Sequence, residues 1–336
     1  MQWMYHNDFR DLVLLDPIQQ GAERLKIITG YATHTMASWH IKEIASRQQK
    51  PIEITLIVGM CKFDGITKAV HEGFNDIVAR NNTPLQSNLI CQYVIDGTPV
   101  HSKLYLWERQ GEPFKAYMGS ANYTQSAFST LHRRELIKEC DPIEAMQYFN
   151  SIERDTMYCN HAEVEDAIKI TSTHPILEAE DVPISSVQGL GVESITLSLL
   201  ATRGSRKGET GWGSGVNWGH RKNGMKREPN QMYISLPTSY ANTDFFPLSG
   251  NRSGKDNPHF SVLTDDGVHF VLRVEQENNK AITTPLNNSQ IGEYFRRRIG
   301  MANGAFMTKG DLENYGRTDV TFYKLDDEQY IMDFSL

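Results

Sequence analysis

Little in the overall composition of this 336-residue chain marks out a chemistry. It has only four cysteines, at 61, 91, 140 and 159. They lack the close pairing of a zinc site and have apolar neighbours, so they read as reduced core thiols. The eleven histidines form no His-Glu-x-x-His or similar ligand pair. A structural or catalytic metal is therefore not indicated, and no cofactor is expected. No apolar run approaches the ~20 residues of a membrane span, and neither a signal peptide nor a Walker A sequence occurs. A cytoplasmic protein without a membrane partner is expected, with no ATP site of its own. Excess positive charge is absent as well. The formal net charge is −7, so any affinity for nucleic acid must be local.

Against this plain background stands one ordered set of polar residues: His101-Ser102-Lys103, then Gly119-Ser120-Ala121-Asn122 after the next apolar stretch, then Glu135. Attack on a phosphodiester requires a nucleophile, a proton donor for the leaving oxygen, and positive charge with hydrogen-bond donors around the non-bridging oxygens. Neutral imidazole is available near pH 7, so His101 suits the nucleophile. Lys103, two residues along an extended segment, projects from the same face. Ser120 and Asn122 repeat that spacing and add a hydroxyl and an amide donor. Glu135 is expected to hold the imidazole by its other nitrogen, as carboxylates do for catalytic histidines. Taken singly, a His-x-Lys is usually an exposed strand face and a Gly-Ser-x-Asn only a turn. Arg133-Arg134-Glu135 alone could be a solvated charged edge.

Together these residues resemble the phospholipase D superfamily, whose signature is His-x-Lys, a short gap to an acidic residue, and a downstream Gly-Ser-x-Asn. Glu108 stands at the acidic position in place of the usual Asp, and Glu135 matches the later glutamate of the nuclease branch. The signature occurs once, whereas members of this superfamily build their site from two copies. The resemblance therefore implies a homodimer.

From residue 23 the chain alternates short apolar runs with helical patterns. Strands are expected at Leu25–Tyr31, Ile52–Met60, Leu89–Ile95, Lys103–Trp107, Phe114–Met118 and Glu135–Glu139. Helices are expected at Met36–Ser46 and Gly65–Ala79, with another opened by Asp141-Pro142. This rhythm predicts an α/β sandwich with a mixed sheet, matching the fold that the resemblance implies. Between about 160 and 188 the periodicity weakens into Pro, Ser and acidic residues. Residues 1–160 are thus expected to form the first domain, 161–188 a linker and 189–336 a second domain. The second is mainly β, a barrel or curled sheet, with strands at Ser194–Leu200, Met232–Leu236, His259–Leu263, Val268–Val274, Val320–Leu325 and Gln329–Phe334. Asp266-Gly267 marks a hairpin turn, and one convincing helix appears, Gln290–Ile299.

Charge is concentrated in the second half. Residues 203–227 carry Arg203, Arg206, Lys207, Arg221, Lys222, Lys226 and Arg227 against the single acid Glu209. These charges lie among glycines with Ser214, Asn217 and Trp218, a composition suited to following phosphates and reading base edges. A solvated loop is the plainer alternative. A second candidate arm holds Asn279, Lys280, Asn287, Asn288 and Ser289. It leads into Gln290–Gly300, whose Arg296–Arg298 are read equally well as a solvated helix end.

A single-copy nuclease signature, a linker, and a β region with Gly-Ser-Gly-Val-Asn-Trp-Gly and Asn-Asn-Ser-Gln-Ile-Gly-Glu-Tyr-Phe-Arg-x-Arg together resemble restriction endonucleases of the BfiI and NgoFVII type. The resemblance spans nearly the whole chain. It implies a B3-like pseudobarrel with two arms entering the major groove of double-stranded DNA, the first arm in 203–227 and the second in 275–289. It also implies metal-independent, sequence-specific cleavage through a phosphohistidine in a site shared by two subunits. A separate helicase-like ATPase subunit and a cognate DNA methyltransferase are the further partners it suggests. Two alternatives carry different expectations: a sequence-specific DNA-binding protein with a non-catalytic dimerising domain, and a phospholipid hydrolase.

Overall fold

A computed structural model describes residues 4–6, 8–47, 49–80, 87–128, 134–171, 191–221, 227–241, 243–250, 253–254 and 256–336. The chain divides into two compact units, Met1–Glu178 and Ala179–Leu336.

The first unit is built on an eight-stranded mixed sheet in the order β1-β8-β7-β6-β2-β3-β5-β9. Its centre is three parallel strands, β2 (Arg24–Thr29), β3 (Glu53–Val58) and β5 (Asn88–Val94). They are rich in Ile, Leu and Val because helices cover both of their faces. The edge beyond β2 is antiparallel: β6 (Leu104–Arg109), β7 (Glu112–Gly119), β8 (Ile137–Cys140) and the short β1 (Met4–Tyr5). The other edge is β9 (Thr156–Tyr158), antiparallel to β5.

Helix caps set the crossovers. Thr33 accepts from Met36 N at the start of α3 (His34–Ser46), and Thr67 from Val70 N at the start of α4 (Lys68–Ala79). Asp141 accepts from Ile143 N and Glu144 N to open α5 (Pro142–Glu153), with Pro142 in the first turn as expected. Helix α5 buries Ala145 and Phe149 against Ile28, Ile57, Leu104, Leu106 and Ala116 on one sheet face. On the other face Trp107 donates its indole N–H to Val13 O of the first helix (Phe9–Leu14), and Tyr105 packs edge-on to Phe128.

The expected linker begins too early. After the short helix Val164–Ala167, β10 (Ile170–Thr171) pairs in parallel with β4 (Ile66–Thr67), which itself replaces the first turn of the helix expected from Gly65. Residues 161–171 therefore belong to the first unit. A two-residue strand has too few positions to show a periodicity, so the pairing escapes a pattern reading. The rest of the expected linker, 172–188, lies outside the described residues.

The second unit holds a seven-stranded sheet in the order β11-β16-β17-β13-β14-β15-β12, and its two end strands approach each other to leave a nearly closed barrel. The strands are β11 (Ser194–Ser198), β12 (Ile234–Ser235), β13 (His259–Thr264), β14 (His269–Glu275), β15 (Ala281–Thr283), β16 (Asp319–Lys324) and β17 (Gln329–Asp333). All pairs are antiparallel except β13 with β17. The expected hairpin turn joins β13 to β14, with Gly267 at φ 83° and Thr264 N donating to Val268 O at 2.9 Å. Phe246, Phe260, Phe322 and Tyr330 fill the interior with ring centroids 4.9–5.4 Å apart. The helix Gln290–Arg298 closes it with Ile291, Tyr294 and Phe295. A second helix, Lys309–Tyr315, was not expected; its signal is the capping box between Thr308 and Asp311. Among the described residues no helix is long and apolar enough to cross a membrane.

Candidate active site and nucleic-acid face

The polar set of the first unit gathers at one end of the sheet, where β2, β3, β6 and β7 terminate or begin. His101 and Lys103 lie on the approach to β6 rather than within it, while Ser120 and Asn122 leave the end of β7. The backbone at Gly59, past the end of β3, allows this approach. A Cβ there would stand 1.9 Å from Val100 O, so a side chain would push the whole 100–103 segment away.

Lys103 is buried while its ammonium reaches His101: Nζ lies 3.0 Å from Nδ1 and 3.2 Å from Nε2, and donates to His101 O at 2.7 Å. Near-equal distances to both ring nitrogens mean that the ammonium is not seated on one lone pair. It is a positive charge held against the ring as a whole. Burial pulls the Lys103 pKa below the usual lysine value, and the Glu135 carboxylate works against that shift.

Glu135 does not meet His101. Its Oε2 accepts from Ser120 Oγ, whose oxygen in turn accepts from Leu136 N at 3.1 Å. Within one chain the expected contact with the imidazole is therefore not made, and strand order supplies the reason. β8 neighbours β7, so the approach to β8 brings Glu135 beside Ser120; His101 is beside the end of β2, two strands further on. Ser120 accordingly spends its proton on Glu135 instead of facing an open phosphate site. Asn122 is turned the other way round: its Oδ1 accepts from Tyr31 N at 3.2 Å and from Thr29 Oγ1 at 3.1 Å. That leaves the Nδ2 donors as the part of the amide able to meet a ligand. Glu108, at the far end of β6, is buried between Arg24 and Lys26 at 3.7 Å each and belongs to a structural ion cluster.

Several neighbours of this site carry no motif. Gly30 and Tyr31 follow β2 directly under and beside the His101 ring, and Tyr148 of α5 bonds Ser102 Oγ at 2.8 Å. The run Thr29-Gly30-Tyr31, a glycine breaking an apolar strand at its end, was the available signal.

In the second unit the expected DNA-contacting residues separate into three groups. Lys207, Arg227, Lys280 and Asn287 are exposed, as is Arg203, which donates to Thr238 Oγ1 at 3.0 Å. Ser214, Trp218, Arg221 and Asn288 are half-buried. Arg206 closes a short 3-10 turn, and Lys222 and Lys226 lie outside the described residues. The Arg227 guanidinium stands 4.5 Å over the Trp218 ring, which meets Tyr233 edge-on.

Three more of the expected residues are buried in the scaffold instead of facing solvent. Asn217 is fully buried, donating to Met307 O at 2.7 Å and accepting from Met307 N at 2.9 Å, so both faces of its amide are used. Asn279 is buried and accepts from Asn257 Nδ2 at 2.8 Å. Ser289 is buried with its hydroxyl given to Glu228. Each bonds the scaffold that shapes the arms. The arginine run divides similarly: Arg296 is buried on the carbonyls of Ala305, Gly292 and Val216, Arg298 pairs with Asp265 and Asp266, and Arg297 is exposed. The periodic pattern also passed over Phe306, which packs at 4.6 Å on the half-exposed Trp212 of the basic loop.

A catalytic-type cluster on an α/β sandwich, followed by a curled β unit with a basic loop, defines a two-part nuclease of the phospholipase D class. Family models bear this out in chain order: residues 7–166 match the NgoFVII restriction endonuclease N-terminal PLD domain, and residues 188–326 the NgoFVII C-terminal B3-like DNA-binding domain. The chain belongs to the NgoFVII-type restriction endonuclease family. A search of curated proteins found no match in sequence. Among solved structures, NucT from Helicobacter pylori is 18% identical with a TM-score of 0.31, covering 47% of this chain and 98% of its own. Nuc from Salmonella typhimurium, a phospholipase D family member, is 10% identical with a TM-score of 0.34 and the same two coverages.

Proposed function

We propose that this chain is a metal-independent endonuclease that cuts specific sequences in double-stranded DNA through a phosphohistidine, in a site completed by a second copy of itself. The observation that carries the reading is the contact of the buried Lys103 ammonium with both nitrogens of His101, with Ser120–Glu135 on one side and Asn122 on the other. In this arrangement Lys103 and the Asn122 amide supply the positive charge and donors that the phosphoryl oxygens need, in the place a metal would otherwise serve.

An imidazole nitrogen of His101 forms a bond to phosphorus while the bond to the departing 3′ oxygen breaks. His101 of the partner subunit gives that oxygen its proton. Water then attacks phosphorus, loses its proton to that same second imidazole, and frees the first as the P–N bond breaks. In-line displacement places nucleophile and leaving group on opposite sides of phosphorus. One histidine cannot serve both, and the signature occurs once. Support for a second copy comes from large apolar side chains left exposed on the first unit: Met118 (51%), Leu136 (45%), Ile143 (62%) and Tyr148 (41%). The basic, Trp-bearing loop of the B3-like unit would supply the affinity for duplex DNA, with phosphate contacts from its lysines and arginines.

The enzyme is read as acting in the cytoplasm beside a DNA methyltransferase that shields host sites. Any ATP dependence is assigned to a separate helicase-like subunit. Digestion of DNA in excess EDTA tests the central claim: cleavage should persist, and its loss would remove the metal-free mechanism. A His101→Ala protein should bind selected duplexes without cutting them, and cutting by that variant would displace His101 as nucleophile.

A further inference from the structure

The His101 ring is held in a cradle made by residues that the catalytic signature does not include. Its floor is Gly30. A Cβ built at Gly30 would stand 2.8 Å from His101 Cδ2, 3.4 Å from Nε2 and 3.5 Å from Cγ, so the imidazole rests directly on the Gly30 backbone. Its wall is Tyr31, whose ring meets the imidazole edge-on with centroids 5.7 Å apart and planes at 78°. Tyr31 is tied in turn, because its hydroxyl donates to the Asp64 carboxylate, a bond that also raises the Tyr31 pKa. Asp64 is brought there by backbone: Gly59 N donates to Thr29 O at 2.8 Å, Met60 N to Gly30 O at 3.2 Å, and Asp64 N to Met60 O at 2.9 Å. The same short segment orients Asn122 through Tyr31 N and Thr29 Oγ1. One turn after β2 thus sets both the ring that attacks and the amide that receives the phosphoryl oxygen.

We propose that Gly30 and the ring of Tyr31 are positioning elements that fix the attack angle of His101. The inference rests on the reading of His101 as the nucleophile. Positioning of this kind acts on the chemical step: a misplacement of about 1 Å costs on the order of 10²-fold in rate. Gly30→Ala is an informative change because the nearest atoms are the end of a side chain, so the imidazole can yield while the backbone stays. Tyr31→Leu removes the wall, and Tyr31→Phe keeps the ring while losing the tie to Asp64.

The test uses the full chain in EDTA, measuring single-turnover cleavage of a selected duplex, its Kd, and hydrolysis of bis(4-nitrophenyl) phosphate, which needs no DNA recognition. Gly30→Ala is expected to lose about 10²-fold and Tyr31→Leu about 10-fold in both cleavage reactions, with Kd within twofold of the parent. Tyr31→Phe should recover most of what Tyr31→Leu loses. An inactive His101→Ala together with parent-like cleavage by Gly30→Ala and Tyr31→Leu would overturn the positioning role alone. So would a fall in DNA affinity equal to the fall in cleavage, since the segment would then act on DNA. Cleavage by His101→Ala would instead overturn the function on which the inference rests. Should Gly30→Ala fail to fold, the Tyr31→Leu and Tyr31→Phe pair decides, because only a ring-dependent wall restores activity with Phe.

Discussion

Lys103 shows how one side chain can be costly to the fold and useful to the site. Burial lowers its pKa, and the nearby Glu135 carboxylate raises it again. Activity that needs the ammonium should therefore decline on an alkaline limb below the ordinary lysine value of about 10.4. Removing the opposing charge with Glu135→Gln should move that limb to still lower pH, because the Coulombic support for the charged form is gone. A pH–rate profile of phosphodiester hydrolysis checks both, and an unmoved limb in Glu135→Gln would separate Glu135 from Lys103. At this scale the gathering of His101, Lys103, Ser120, Asn122 and Glu135 at one end of the sheet was legible, because their types recur at fixed spacings beside apolar strands. The partner of Glu135 was not legible. It follows from β8 lying next to β7, a long-range pairing that no spacing records.

At the scale of the element, the basic loop is less free than its glycines and charges suggest. Asn217 clamps it by pairing with both the N–H and the C=O of Met307, and Phe306 packs on Trp212. Asn217→Ala would strand two buried backbone groups, at about 1–3 kcal/mol for each buried group left unsatisfied. The expected outcome is a loss of several kcal/mol in urea unfolding of the second unit. DNA affinity should then fall through disorder of the loop, with the sequence preference of the remaining bound fraction unchanged. A changed preference at parent-like stability would restore Asn217 as a base reader. Strands and helices were mostly visible as apolar runs with caps, as at Asp141-Pro142 and Asp266-Gly267. Among the misses were the short strands β1, β4, β9, β10 and β15, the helix Phe9–Leu14 and the capped helix Lys309–Tyr315, elements too short for a period to declare itself.

For the whole molecule, the single signature and the exposed Met118, Leu136, Ile143 and Tyr148 are the grounds of the proposed pairing of nuclease units. Charges at the two least catalytic of these positions, Met118→Lys with Ile143→Asp, should convert a dimer to a monomer in light scattering. They should also reduce cleavage by about 10³-fold or more, the order of loss seen when a catalytic group is removed, while the B3-like unit still binds DNA. A monomer that cuts at the parent rate would end the shared-site mechanism. The ordered chemistry of the first half, the rhythm of its α/β unit and the local basic charge of the second half could all be read from residues in order, because they are properties of neighbours along the chain. Folding then chose which polar groups face a ligand and which are spent on the scaffold. Asn217, Asn279 and Ser289 went inside, Glu135 went to Ser120, and Gly30 and Tyr31 came to His101, since burial and strand adjacency join positions that the chain itself keeps far apart.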